Sequence, residues 1–230
     1  MDSKYTFKTR NLYTLLLCLQ IFDIANFMIV SELVEKGFIA ISAGTQMALQ
    51  VGVVMVTNII MTVFVNHFIK RKVWVYVYVL AIVLSIIFAF GAGGPLKETL
   101  APDQIKVMGL LGFGFAALSN GFIAMLALTD VFSQRHELSY SLIGASWIFL
   151  LFGIVFANVY MFLGALSPTL LVTSENANAV VNCLRYSFYV ISGQDPPFPN
   201  VAMVIRNVST FESIFSNLYG LMVVGRLLTK

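Results

Sequence analysis

The chain has 230 residues, of which 59% are hydrophobic and only 11% are charged. Soluble domains carry about a quarter charged residues, so this composition excludes an ordinary soluble domain and indicates that lipid surrounds most of the chain. The formal net charge is +3. The basic residues stand at the ends of apolar runs, which argues against a nucleic-acid partner.

Six apolar segments are each long enough to cross a bilayer. About 20 residues at 1.5 Å each cover a hydrocarbon core of about 30 Å. The predicted spans are 12–30, 46–68, 73–93, 106–129, 141–165 and 207–228, and a further apolar stretch at 177–191 is too short to cross. The sequence therefore predicts an all-α polytopic membrane protein in contact with the lipid bilayer.

The first segment contains three polar residues at helical spacing, Gln20, Asp23 and Asn26. One interpretation makes Asp23 an ion or proton site, since an ionisable residue inside a membrane is expensive and is usually functional. The other makes the segment an amphipathic helix that lies in the membrane interface. We favour the second interpretation from the sequence alone.

Loop charges predict the orientation of the chain. The densest basic cluster is Lys70, Arg71 and Lys72, between the second and third segments. Because cytoplasmic loops carry an excess of Lys and Arg, this turn is placed inside. Alternation of six spans then puts both termini in the cytoplasm, in a protein of the plasma membrane.

The same alternation places residues 166–206 outside, with the short apolar stretch among them. A helix that cannot cross must lie on the surface or enter and return, and a return requires irregular backbone that protein or a water-filled cavity surrounds. Pro168 ends the fifth segment, and Pro196, Pro197 and Pro199 favour an extended return. We expect a re-entrant helix here.

Two runs carry a resemblance to a known family. The first is the run from Leu184 to Phe188, which reads Leu-Arg-Tyr-Ser-Phe, and the second comprises Arg206, Glu212, Tyr219 and Arg226. Together they resemble the pore module of the potassium-channel superfamily in its two-helix bacterial form, over about a fifth of the chain. The resemblance implies a pore helix, a filter turn and an inner helix, assembled as a homotetramer that conducts inorganic cations passively.

The filter departs from the family pattern. Potassium channels carry a glycine-rich turn whose carbonyl oxygens replace the hydration shell of the ion. This chain has Ser192, Gly193, Gln194 and Asp195, followed by two prolines. Only Gly193 and Asp195 match the pattern, so typical potassium selectivity is not expected. Gln194 and Asp195 could line a wider mouth that attracts cations, or the pore could be closed.

Two sets of inner-helix residues are assigned roles. Glu212, Tyr219 and Arg226 are seven residues apart and therefore form one stripe, in which Glu212 requires a partner. Apolar side chains form the expected gate, which excludes water when closed; they are Phe215, Leu218 and Met222.

The chain divides into N-terminal membrane helices at 1–140 and a pore module at 141–230. Cys18 and Cys183 stand apart inside apolar segments, and no nucleophile has a base at a catalytic spacing, so neither an enzyme nor a cofactor or metal is expected. Two other functions stay open. One is a scaffold or sensor that does not conduct; the other is a small secondary transporter, suggested by Asp23 and Glu212.

Overall fold

The structure is a computed structural model, and it describes residues 3–40, 43–69, 71–93, 99–132, 138–170, 179–196, 198 and 200–228. Every regular element in these ranges is helical. In chain order the elements are α1 Ser3–Ala25, a π-helical turn Asn26–Val30, α2 Ser31–Glu35, α3 Ala43–Phe68, α4 Lys72–Gly93, α5 Pro102–Val131, α6 Leu138–Leu166, a 3-10 turn Pro168–Leu170, α7 Ala179–Ile191 and α8 Met203–Leu228.

Three helical stretches are long and apolar enough to cross a membrane, judged by length and composition. They are Asn11–Val34, Pro102–Val131 and Leu138–Leu166. The all-helical class is therefore confirmed for the described residues, and the three candidate spans are compatible with a membrane protein, whereas six crossings and a re-entrant helix stay predictions. The length of Asn11–Val34 favours a crossing over the interfacial alternative for the first segment. Lys70, Pro197 and Pro199 lie outside the described residues.

Local sequence signals account for several helix ends. Ala101 has extended backbone, Pro102 occupies the first turn of α5, and the Ala101 amide donates to the Gln104 side chain at 3.0 Å. Proline suits a first turn because the missing N–H has no helical partner there. At the same side of the bundle, α6 ends at Leu166, two residues before Pro168, as the sequence predicts.

A cluster of aromatic rings joins four helices at one end of the bundle. Tyr13, Phe64, Tyr140 and Trp147 make edge-to-face contacts with ring centroids 5.1 to 5.5 Å apart. Tyr13 and Tyr140 both donate to Asp130 Oδ2. The middle of α1, the end of α3, the end of α5 and the start of α6 therefore meet, so α5 and α6 run in opposite directions. Asp23, further along α1, lies near Thr57, which precedes Phe64 in α3, so α1 and α3 also run in opposite directions.

The α6 helix lies at the centre of the molecule. It packs against α1, α5, α7 and α8, and its buried side chains include Tyr140, Trp147, Leu151 and Tyr160. The α8 helix packs mainly on α6 and α7. These three helices pack on one another and cover most of the residues for which the sequence predicts a pore module.

Candidate functional site

The short helix α7 runs antiparallel to the second half of α6. Its Tyr186 ring contacts the Tyr160 ring of α6 with centroids 5.1 Å apart, while its last turn lies beside Gly153, earlier in α6, and its thirteen residues extend from there toward the end of α6. Gly153 is fifteen residues from the start of α6 and thirteen from its end. The α7 helix therefore begins near the end of α6 and stops at the middle of α6.

Gly153 is required for this close approach. A Cβ atom at this position would lie 2.8 Å from the Phe188 ring and 3.1 Å from Ile191 Cδ1. Both distances are shorter than ordinary contacts, and both neighbours belong to the last part of α7. Only glycine lets the two helices pack at this distance.

Glu212 of α8 is completely buried and joins the three helices of the unit. Tyr160 of α6 donates to Glu212 Oε2. Ser187 of α7 lies 2.5 Å from Glu212 Oε1 and 2.8 Å from the Gly153 carbonyl oxygen. The partner that the sequence requires for Glu212 is therefore a pair of hydroxyl groups, one from each neighbouring helix.

The end of α7 is a glycine cap of the Schellman type. Gly193 has a φ of 73°, its amide donates to the Val190 carbonyl at 3.1 Å, and the Gln194 amide donates to the Tyr189 carbonyl at 2.9 Å. These are the two hydrogen bonds that define the motif, and the left-handed glycine makes them possible. Gly193, which matches a filter glycine by sequence, thus ends a helix.

The remaining carbonyl groups in the last turn of α7 are also occupied. Ser192 donates its amide to the Phe188 carbonyl at 3.1 Å, and the Ser216 hydroxyl of α8 donates to the Ile191 carbonyl at 2.8 Å. Ser216 is thirteen residues from the start of α8 and twelve from its end. The end of α7 therefore lies at the middle of α8 as well as of α6.

The predicted stripe on α8 is the face that packs on the bundle. Tyr219 is buried and donates to the Ala145 carbonyl of α6 at 2.7 Å. Arg226 is half-buried and lines a small cleft with Val131, Phe132 and Ser141. Together with the burial of Glu212, these positions place all three stripe residues toward the bundle.

The rest of the α8 surface is mostly apolar, with the exposed polar residues Asn207, Thr210 and Asn217 among its apolar side chains, and it is uncovered in the single chain. Leu218 and Met222, two of the predicted gate residues, lie on it and are about half exposed. Phe215, the third, packs edge-to-face on Phe152 with centroids 4.6 Å apart. The large exposed side chains of this helix are Met203, Val204, Phe211, Ile214, Leu218, Leu221, Met222, Val224 and Leu228.

The four predicted filter residues form an exposed turn next to this surface of α8. Ser192, Gly193, Gln194 and Asp195 are all solvent-exposed in the single chain. The segment that leads from the turn to α8 packs on α7. In it, the Phe198 ring contacts the Tyr186 ring of α7, with centroids 5.7 Å apart. The turn thus presents one amide and one carboxylate side chain at the middle of the α6 and α8 helices.

An ion pair fixes the other side of α7. Arg185 Nη2 lies 3.4 Å from Glu32 Oε2 of α2, and Lys36 Nζ lies 2.6 Å from Glu32 Oε1. The end of the first long helix is thereby tied to α7. This contact crosses the boundary at residue 140 that the sequence suggests between two parts of the chain.

The structure adds Tyr160, Ser187 and Gly153 to the residues singled out from the sequence. Ser187 belongs to the run that resembles a pore helix, but the sequence does not show what its hydroxyl binds. A carboxylate buried in an apolar helix requires hydrogen-bond donors from neighbouring helices. The hydroxyl groups in the two preceding apolar segments were the sequence feature from which these donors could have been predicted. Within the described part of the chain, no group of three or more His, Cys, Asp or Glu residues is placed to hold a metal ion.

Comparisons with known proteins add no relative: no family model matches the chain, and neither a curated protein nor a solved structure is similar to it.

Proposed function

We propose that this protein is a channel-like membrane protein in which α6, α7 and α8 form a pore module and four copies surround a passive pathway for cations. The single observation that carries the proposal is the depth of α7: it ends beside Gly153 and Ser216, at the middle of the two long helices, and its thirteen residues extend from there past Tyr160 toward the end of α6. A helix that reaches the middle of its neighbours and turns back is the arrangement of a re-entrant pore helix.

Depth within the membrane follows from the composition of α6. It is long and apolar enough to cross a bilayer, and thirteen residues separate Gly153 from its end, which corresponds to about 20 Å at 1.5 Å per residue. The exposed turn at 192–195 then lies well inside the hydrocarbon core. Irregular backbone at that depth needs protein or water around it. In the proposed tetramer, the neighbouring copies of the chain supply the protein and enclose the water.

The pathway is lined by side chains in this proposal. Gly193, the single glycine of the turn, serves as the cap of α7, so the turn does not supply the glycine-rich carbonyl rings that select potassium. Gln194 and Asp195 concentrate cations at the turn. Leu218 and Met222, on the uncovered face of α8, form the apolar constriction that gates by excluding water.

The second function is a scaffold that keeps the pore-module fold but does not conduct. The occupied carbonyl groups of α7 favour it, because they give the turn a structural role that needs no ion. Both functions share the same fold and the same assembly. Conduction is therefore the property that distinguishes them.

The decisive experiment is ion flux through the purified protein in planar bilayers, after native mass spectrometry has established an assembly of four 25.4 kDa chains. We expect cation currents that Asp195→Asn reduces several-fold. Asp103→Asn is the matched control, because Asp103 is an equally exposed carboxylate on the same predicted side. Leu218→Asn should increase the open fraction by wetting the constriction.

Leu80→Asn is the control for that last variant. Leu80 of α4 is 58% exposed and Leu218 is 56% exposed, but Leu80 belongs to a helix outside the unit of α6, α7 and α8. An intact tetramer without current in any variant would establish the scaffold function. A monomer under conditions that keep the fold would overturn both functions.

A further inference from the structure

A second polar site lies in the first half of the chain, outside the pore module. Gln20, Asp23 and Asn26 follow each other at three-residue spacing along α1 and the π-helical turn, so neighbouring members lie on adjacent parts of one helix face. The Thr57 hydroxyl of α3 lies close enough to the Asp23 carboxylate to interact with it, but the two groups are not in hydrogen-bond geometry. The side chains of Gln20, Asp23 and Thr57 are 2%, 5% and 3% exposed.

Four polar atoms of this site have no hydrogen-bond partner among the described residues. They are Gln20 Oε1, Asp23 Oδ1, Asn26 Nδ2 and Thr57 Oγ1. Buried polar atoms are nearly always paired with protein or with a bound molecule, so four unpaired atoms on adjoining residues indicate that something fills the space between them. By contrast, Glu212, the buried carboxylate of α8, has two hydroxyl partners.

The chemistry of the unpaired atoms identifies the ligand class. Three of them are oxygens from a carboxylate, an amide and a hydroxyl, the hard donors that alkali and alkaline-earth cations prefer. Rotation of the Asn26 side-chain amide by 180° would exchange its nitrogen and oxygen and add a fourth oxygen donor. Asp23 supplies the only carboxylate of the set, and no ion pair joins it to a basic residue among the described side chains. One negative charge is balanced by one monovalent cation.

The backbone at the site is also unusual. The helix changes from α to π geometry at Asn26 and back at Ser31, directly after Asp23. A π-helical turn shifts the carbonyl groups out of their regular ladder, and such turns are often found at binding sites. It gives the first long helix a local widening next to the unpaired oxygens.

We propose that Gln20, Asp23 and Thr57 bind one monovalent alkali cation, such as Na⁺, between α1 and α3. The site does not depend on conduction through the pore module, because it uses residues of the first 140 only. It explains why an ionisable residue lies buried within an apolar stretch that is long enough to cross a membrane.

The test uses the full-length protein in lipid nanodiscs. The thermal midpoint of unfolding is measured at constant ionic strength in NaCl, KCl, LiCl and N-methyl-D-glucamine chloride. We expect saturating NaCl to raise the midpoint by about 3–6 °C over N-methyl-D-glucamine chloride, because a ligand that binds only the folded state stabilises it. Asp23→Asn should abolish this shift, and the exposed Asp103→Asn should keep it.

Direct binding makes the result independent of variant folding. Wild-type protein should retain one ²²Na⁺ per chain, displaced by unlabelled Na⁺, and Thr57→Val should weaken the apparent affinity at least several-fold. The proposal is overturned if wild-type protein binds no ²²Na⁺ above background. It is equally overturned if NaCl shifts wild-type and Asp23→Asn midpoints alike, which would leave buried water as the occupant.

Discussion

Glu212 shows how a carboxylate is accommodated in the middle of an apolar helix. An unpaired charge at that depth is expensive, and here the oxygens are held by hydroxyl groups from α6 and α7. The same residue therefore joins three helices that have few other polar contacts between them. Its position in a sequence stripe with Tyr219 and Arg226 reflects packing on the bundle rather than contact with ions.

The pairing predicts a specific pattern of stability. Glu212→Leu removes the acceptor of the buried Tyr160 hydroxyl, whereas Ser187 keeps the Gly153 carbonyl, so we expect a loss of about 1–3 kcal/mol in the free energy of unfolding. Adding Tyr160→Phe removes the orphaned hydroxyl and should recover most of the loss. Chemical denaturation in mild detergent measures both.

Thr210→Val is the control for these variants. The Thr210 hydroxyl lies on α8 as well, but it is exposed and donates only to the Arg206 carbonyl one turn earlier. Its replacement should change stability by less than about 0.5 kcal/mol. Additive losses for Glu212→Leu and Tyr160→Phe would show that the two groups do not act as a pair.

At the scale of elements, α7 is held at a fixed depth by three kinds of contact. Gly153 allows the close approach to α6, Ser216 binds the carbonyl of the last helical residue, and the Gly193 cap ends the helix there. The Arg185 ion pair with Glu32 holds the outer part. Because Gly153, Ser216 and Glu32 belong to three other helices, a shift of α7 along α6 would break these contacts together, whereas the Gly193 cap is internal to α7 and would move with it.

Gly153→Ala tests this arrangement. The added methyl group would meet the Phe188 ring at 2.8 Å, and overpacking of this kind costs about 1–3 kcal/mol. We expect a lower denaturation midpoint and, in the bilayer assay, a loss of current if the turn at 192–195 is displaced. Gly121→Ala on α5 is the matched control, since nothing lies within 4 Å of its added Cβ; an equal loss there would refute the packing argument.

At the scale of the whole molecule, neighbouring helices alternate in direction, and the aromatic cluster lies at one end of the bundle. Arg71 and Lys72, which begin α4, stand at that same set of ends because α3 ends there. The ion pair of Arg185 with Glu32 is at the opposite side. The packing is thus compatible with the orientation that the loop charges predict, in which Arg71 faces the cytoplasm.

Single cysteines in oriented vesicles test the orientation and the re-entrant turn together, in a Cys18→Ser, Cys183→Ala background. Arg71→Cys should react only with impermeant thiol reagents applied inside, and Asn200→Cys only with those applied outside. Gln194→Cys should react from outside with a small reagent but not with a bulky polyethylene glycol maleimide. If Gln194→Cys reacts with the bulky reagent as fast as Asn200→Cys, the turn lies at the membrane surface.

Several features could be predicted from the sequence because they depend on local patterns. Apolar length predicts the long helices, Pro168 marks the end of α6, and the seven-residue spacing predicts that Glu212, Tyr219 and Arg226 share a face. The partners of Glu212 could not be predicted, since Tyr160 is 52 residues away and Ser187 is 25 residues away. Such contacts depend on how the helices pack.

Gly193 is the clearest example of a residue whose role could be assigned only from the tertiary structure. By sequence it matches a filter position, and its conformational freedom suits either a filter or a turn. Only the hydrogen bonds from Gly193 and Gln194 back to α7 assign it to a helix cap. The unpaired oxygens around Asp23 became visible in the same way, because burial depends on the neighbouring helix α3.

Composition and apolar periodicity by themselves determined that this is an all-helical protein suited to lipid, because the bilayer requires long apolar helices with internally paired backbone. The tertiary structure alone decided which face of α8 is packed, how deep α7 lies and which polar atoms have partners. These properties arise from contacts between residues far apart in the chain, and local sequence patterns carry no information about such contacts.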